Sequence, residues 1–414
     1  MASKPSHYKI IEGGVAAPEG FVCGAVECGI KNAAKLRLDL GLIYSRIPAS
    51  TAACFTSNKV KAAPVRVCQS HLRTGEVRAV IVNSGNANAC TGPRGIIDAK
   101  TMCALTASEL KLEAHQVLVG STGIIGLPMP MERITPKIPE LVASLGRGNG
   151  DAIARAIMTS DTRPKSIAIS VPLGSKTIRI GAIAKGAGMI SPSMGTMLCY
   201  ITTDAAIEST NLQKCVKACV QNSFNRITID GDTSTNDTVV VMANGMAGNR
   251  PIKSGGEQCR IFREALEWVM LKMAKAIVGD GERVTKFVEV IVRGAPSVPD
   301  ARKVAETVAN SLLVKCSWNG GDANWGRIMH AIGYSRARIR EDLIDIYFDG
   351  HNATKNGIAT GTPVELLRKV VAKREFTVTI DLNVGDAIYN VYTSDLSQEY
   401  VDFNRTEYAA PVKP

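Results

Sequence analysis

An α+β or α/β fold in two large lobes is what the 414-residue chain predicts, and three observations carry that expectation. Short β-like runs alternate with longer helical ones from end to end, the pattern of sheets flanked by helices. The chain is too long to bury its apolar surface in one small core. Its 45% apolar and 21% charged residues are ordinary for a globular protein.

The elements follow in order. Residues 77–83 (VRAVIVN) read as a buried strand running into the turn-forming Ser84-Gly85-Asn86. Residues 166–172 and 176–184 read as two strands around Leu173-Gly174-Ser175, a hairpin with glycine in the turn. Residues 239–242 form a further apolar strand. From Phe262, apolar residues recur at Ala265, Leu266, Val269, Met270, Met273, Ala274 and Ile277, one core-facing helical stripe that ends by Gly279. Asp280 and Glu282 then fall in the loop just beyond it. A late pair of strands, 376–382 and 387–393, is joined through Asn383-Val384-Gly385-Asp386. Gly146–Gly150 is the clearest flexible stretch. His330, behind Ile328-Met329, reads as a core histidine rather than a catalyst.

Several function classes recede on composition. The net charge of +11 comes from basic residues interleaved with acids, and aromatics are only 5%, so a nucleic-acid surface is not expected. No apolar run approaches the roughly 18–20 residues that cross a bilayer, and the N-terminus has no apolar core of a secretory signal. A cytoplasmic protein is expected. The eleven cysteines are scattered, and neither Cys23/Cys28 nor Cys215/Cys219 has the neighbours of a tetrahedral metal site. They read as buried free thiols in a reducing compartment, with no metal bound.

The chemistry concentrates in residues 185–205, KGAGMISPSMGTMLCYITTDA. Gly186-Ala187-Gly188 are small and conformationally free, and Gly195 stands directly before Thr196. A glycine there leaves its carbonyl open to attack by the threonine hydroxyl. The plain alternative is a glycine turn entering a buried strand. In the same way, Lys185 and Glu282 are by themselves ordinary surface charges, and Thr122-Gly123 an ordinary turn after Val117-Leu118-Val119.

The segment KGAGMISPSMGTML…TTDA resembles the self-cleavage motif of the ornithine acetyltransferase (ArgJ-type glutamate N-acetyltransferase) family. The likeness continues in FTSNKVKAAPV (55–65), VNSGNANACTG (82–92), VLVGSTGIIG (117–126), TSDTRPK (159–165), DGDTSTND (230–237), DGERVTK (280–286), LVKCSWNGGDANWGRI (313–328) and DLSQEYVDFN (395–404). The resemblance implies a self-processing fold of the N-terminal-nucleophile-like kind, with mixed sheets flanked by helices. It implies scission between Gly195 and Thr196 into an α fragment, 1–195, and a β fragment, 196–414. Thr196 falls on the family's nucleophile, Thr122 and Gly123 on its oxyanion hole, and Thr162, Lys185, Thr196, Glu282 and Asn404 on its substrate contacts. The implied reaction carries acetyl from N2-acetylornithine to glutamate without metal or cofactor, in an α2β2 heterotetramer, with acetyl-CoA left open as a second donor. The alternative is a related self-processing amidase or aminopeptidase that delivers the acyl group to water, or an acyltransferase for another amino acid; a paralogue that has lost catalysis is a third reading.

Several positions depart from the family pattern. Gly195 stands where alanine is usual, Arg283 where glycine follows the glutamate, Val284 where a smaller residue is common, and Cys316 where threonine is usual, which reads as a packing change. The tail after Asn404 carries Ala409-Ala410 where a serine or threonine is expected, so one substrate hydrogen bond, worth about 0.5–1.5 kcal/mol, is missing.

Overall fold

The computed structural model describes residues 8–31, 34, 36–191 and 197–407. These fall into two compact units. The first is built from the described parts of 1–186, 193–225 and 233–277, the second from those of 187–192, 226–232 and 278–414. Each is α+β, a mixed sheet with helices, which is the predicted class.

The first unit's sheet contains β1 (Lys9–Ile11), β2 (Phe21–Glu27), β3 (Leu38–Phe55), β4 (Val77–Asn86), β5 (Val117–Ile124), β6 (Lys165–Leu173), β7 (Lys176–Lys185), β8 (Leu198–Thr203) and β9 (Thr238–Ala243). The order is β1-β6-β7-β8-β9-β3-β4-β5, with β2 paired to β3. The pairs β4–β5 and β8–β9 are parallel. β8 and β9 are buried at every residue, which is why they read as unbroken apolar runs rather than as an alternation. The β6–β7 hairpin turns where predicted, with Gly174 at φ +64° supplying the left-handed residue the turn needs. The helix Glu257–Val278 begins five residues before Phe262, and every residue of the predicted stripe is buried. Each of its larger side chains, Phe262, Leu266, Val269, Met270, Met273 and Ile277, contributes roughly 1.5–3 kcal/mol when fully buried.

The second unit's sheet runs β13 (Ile358–Ala359), β12 (His351–Lys355), β11 (Asp345–Phe348), β14 (Glu375–Asp381), β10 (Phe287–Ala295), β15 (Ala387–Ser394). Val288, Val290 and Val292 of β10 are buried, as are Ala301, Val304, Ala305 and Val308 of the helix Val298–Asn310, and they share one core. That helix starts where the Ser297 hydroxyl accepts the Asp300 N–H.

The two late strands stand where expected, as β14 and β15, with β10 between them, parallel to β14 and antiparallel to β15. Three sequence expectations are corrected. The Gly146–Gly150 stretch is ordered, because Cys23 and Gly146 exchange both backbone hydrogen bonds and residues 147–149 form a 3-10 turn. His330 is exposed and meets Tyr334 edge to face, so it belongs to no core. Cys316 is also exposed, and its substitution is no packing change. The other cysteines are all free and mostly buried, with Cys90 exposed.

Candidate active site

In the first unit the site begins where β4 and β5 end side by side. Ser84 lies opposite Thr122 and Gly85 opposite Gly123. Thr122 is only 2% exposed. Gly123 sits at φ +135°, and a Cβ there would meet the Gly85 carbonyl carbon at 2.3 Å, so only glycine fits. The strand ends are tied together by amides. Ser121 donates to Asn83 at 2.6 Å, and the Asn83 amide donates to the Asn86 carbonyl at 3.0 Å. Asn236 donates to the carbonyls of Ala87 and Ser121 at 2.7 and 2.8 Å. The family-like segments at 82–92 and 230–237 are therefore scaffolding for Thr122-Gly123, which belongs to a strand and not to the turn of the plain reading.

Lys185 ends β7 and is 2% exposed; its Nζ donates to the Thr122 hydroxyl oxygen at 3.2 Å. Because the ammonium is the donor, the hydroxyl oxygen is the acceptor and its own proton is directed elsewhere. An ionised donor also polarises that hydroxyl, which makes it a stronger donor in turn. Asp161 anchors this arrangement. It accepts the Gly186 N–H at 2.8 Å and the Thr159 N–H at 3.0 Å, and pairs with the Lys165 ammonium at 2.6 Å. Burial pushes its carboxyl up, but the charges of Lys185 and Lys165 outweigh that and hold it at about 2. Thr162, the next residue, is exposed on the loop before β6.

Gly195 and Thr196 lie outside the described residues. Met197, which follows them, donates its N–H to Asp237 Oδ1 at 3.0 Å. Asp237 is fully buried.

In the second unit Glu282 is 7% exposed in the loop after the long helix, as its position predicted. Its N–H donates to the Ala187 carbonyl at 2.8 Å. A Cβ on Gly188 would fall 2.6 Å from the Glu282 carboxyl carbon, so glycine there keeps the space of the carboxylate. The Asn404 amide donates to Glu282 Oε2 at 3.1 Å. Asp230 accepts the N–H groups of Met189 and Ile190 at 2.6 and 2.9 Å, and the Tyr400 hydroxyl at 3.3 Å.

Arg283 has φ +55°, a left-handed backbone that glycine adopts freely and arginine at a cost of roughly 1 kcal/mol. Its guanidinium lies 5.0 Å over the Phe403 ring, and its carbonyl accepts the Ser397 hydroxyl at 2.7 Å. The loop is held further along by Asp395, which accepts from Thr285 N and Oγ1 at 2.9 and 2.5 Å and from Asn319 at 2.7 Å. Lys315 is wholly buried and donates to Thr393 Oγ1 and the Ser394 carbonyl; burial lowers it to about 8. The segments at 313–328 and 395–404 thus brace the Glu282 loop.

Of the predicted residues, the structure brings together Thr122 with Lys185 and Glu282 with Asn404. Sequence reasoning missed Asp161 and Asp237. The only local signal was Asp161 four residues before Lys165, and an acid standing directly before the apolar run of β9.

Comparison with known proteins decides the family. The ArgJ family model matches residues 22–409. The chain belongs to that family. It is an N-acetyltransferase enzyme of arginine biosynthesis. It is similar to the arginine biosynthesis bifunctional protein ArgJ of Geobacter sulfurreducens, 51% identical over 93% of this chain and 98% of the relative. The protein of the same name from Symbiobacterium thermophilum is 43% identical over 95% of this chain and 98% of its own. Among solved structures, ornithine acetyltransferase from Mycobacterium tuberculosis in complex with ornithine is 38% identical, covering 46% of this chain and all of that one, with a TM-score of 0.42. No helix of the described residues is long and apolar enough to cross a membrane.

Proposed function

We propose that the chain is a self-cleaving glutamate N-acetyltransferase that moves acetyl from N2-acetylornithine to glutamate through an acetyl ester on Thr196. The observation that carries this reading is the buried Lys185 ammonium donating to Thr122 beside a Gly123 that no other residue can replace. A polarised hydroxyl and a glycine N–H at one strand end are the donors an acyl oxyanion needs, each worth roughly 3–4 kcal/mol when well placed.

Processing comes first. Thr196 Oγ attacks the Gly195 carbonyl, the Gly195–Thr196 C–N bond breaks, and the hydroxyl proton passes to the departing amine. Water then opens the ester and leaves fragments 1–195 and 196–414. The free Thr196 α-amine, with an ordinary pKa near ~8, becomes the general base. It takes the hydroxyl proton as Oγ attacks the acetyl carbonyl of N2-acetylornithine. Thr122 and Gly123 stabilise the oxyanion, the amide C–N bond breaks, and ornithine leaves with the proton on its amine. The glutamate amine then attacks the acetyl ester and restores Thr196. Thr162, Lys185, Thr196, Glu282 and Asn404 are the substrate contacts, with an ammonium suited to a carboxylate and a carboxylate to an α-amine. The reading leaves room for acetyl-CoA as a second acetyl donor at the same threonine. The reading extends to a cytoplasmic α2β2 assembly of the two fragments.

The test is a donor and acceptor panel. Acetylornithine should yield N-acetylglutamate only when glutamate is present, with ping-pong kinetics. Free acetate released at the same rate without glutamate would make the chain a hydrolase.

A further inference from the structure

Asp237, the last of the three acids in the 230–237 segment, is not needed by the mechanism above, yet it is built against the residue that follows the nucleophile. Asp237 directly precedes β9, and β9 runs parallel to β8 with Thr238 opposite Leu198. Its Oδ1 accepts the Met197 N–H at 3.0 Å, while its Oδ2 is buried without a hydrogen-bond partner. The segment around it is fixed on every side. Thr56 donates its hydroxyl to the Ser234 carbonyl at 2.6 Å, the Thr56 N–H donates to the Asp237 carbonyl at 3.0 Å, and Asn236 is tied to Ala87 and Ser121. Asp237 therefore has no freedom to turn toward water.

A buried carboxylate with one oxygen unpaired is far costlier than a buried carboxylic acid with the same contacts. We propose that Asp237 is a positioning residue for the nucleophile, a neutral carboxylic acid that holds the Met197 N–H and thereby the backbone that follows Thr196, without placing a negative charge beside the new α-amine. The inference rests on the reading of Thr196 given above. Burial raises Asp237 well above the usual carboxylate range; the Met197 N–H and the Lys185 charge lower it only in part. Lys185, at the end of β7, is the charged group that acts on it.

The chemical benefit concerns the general base. The amine freed by scission belongs to the residue before Met197, so covalent geometry keeps it a few ångströms from the Met197 nitrogen. An ionised carboxylate about 6 Å away, at an effective dielectric constant of about 20, would raise the pKa of that amine by about two and leave little free base at neutral pH. A neutral acid keeps the hydrogen bond and omits the charge. The amine then stays a base.

The experiment compares wild type with Asp237→Asn and Asp237→Ala, using intact mass for processing and kcat/KM against pH for transfer. Asp237→Asn keeps a neutral acceptor, so it should cleave and transfer within about threefold of wild type. Its acidic limb, where the α-amine loses its proton, should fall at the same pH as in wild type. Asp237→Ala removes the acceptor and should lower kcat about 10- to 100-fold with little change in KM, as loss of positioning does. A limb that moves down by about two pH units in Asp237→Asn would mean the wild-type group is a carboxylate, and the proposal fails. Full activity of Asp237→Ala also overturns it. Should Asp237→Ala not fold, the Asp237→Asn limb decides alone. A wild type that neither cleaves nor transfers removes the reading of Thr196 and this inference together, a result distinct from an active wild type with indifferent variants.

Discussion

The strand end that carries Thr122 and the loop that carries Glu282 are built in opposite ways. Thr122-Gly123 belongs to a parallel strand pair, locked by a glycine with no room for a Cβ and by buried amide hydrogen bonds. The charges behind it are buried, the Asp161 carboxylate pairing with Lys165 and feeling the charge of Lys185 as well. Glu282 instead sits in a loop, its carboxylate accepting one amide from the half-buried Asn404 and its N–H donating to the Ala187 carbonyl, next to Arg283 with its left-handed backbone. One of the chain's departures from the family pattern, Arg283, falls in the second region, and none falls on Thr122, Gly123 or Lys185. The contrast is physical. A group that must meet a developing charge gains from rigidity, because its orientation is settled before the reaction.

The largest expected effect is on the rigid side. Asp161→Asn leaves two buried ammonium groups short of their counter-charge and should lower unfolding stability by about 3–5 kcal/mol in urea titrations. The sign with pH follows from the same pair. Asp161 stands at about 2 in the folded chain against an ordinary 3.8, so it stabilises the fold above pH ~4 by about 2 kcal/mol and loses that contribution as pH falls toward 2. The variant should lack this slope, and an unchanged slope would show that the carboxylate is not what locks Lys185. Next comes Thr122→Val, which keeps the shape and removes the donor. A fall of 10²- to 10³-fold in kcat with KM nearly constant is expected from steady-state kinetics.

The loop side should answer in KM instead. Glu282→Gln is expected to raise KM for the amino-acid substrates roughly 10- to 100-fold, the scale of a charge-assisted hydrogen bond. Asn404→Ala should raise it by about 2- to 10-fold. A kcat loss equal to that of Thr122→Val in either variant would erase the distinction between the regions. The smallest effect is that of Arg283→Gly. It relieves roughly 1 kcal/mol of left-handed strain and gives up a cation–π contact of about 0.5–1 kcal/mol, so Tm should change little. Amide hydrogen exchange in 398–407 should nevertheless quicken, because the contact with Phe403 is lost.

Much of the fold was legible because its signals are local. The strands at 77–83, 166–172, 176–184 and 239–242 are apolar runs between turn residues, and the helical stripe from Phe262 repeats over four turns. What was not legible depends on partners distant in sequence. Nothing in 376–393 tells that β10 will insert between β14 and β15, and no periodicity shows that Gly146 will bridge to Cys23. The site divides likewise. Thr122, Lys185, Glu282 and Asn404 are candidates through the resemblance of whole motifs, whereas Asp161 and Asp237 look like any surface acids until the sheet closes over them. The left-handed backbone at Arg283 explains afterwards why glycine suits that place, which the residue type alone could not reveal.

The most direct test is intact-mass analysis of the purified protein, alone and after incubation with N2-acetylornithine in the absence of glutamate. Two fragments are predicted, one ending at Gly195 and one beginning at Thr196. The second should carry one added acetyl group that disappears when glutamate is supplied. A single uncut chain, or an acetyl group that never resides on the fragment beginning at Thr196, would contradict the account.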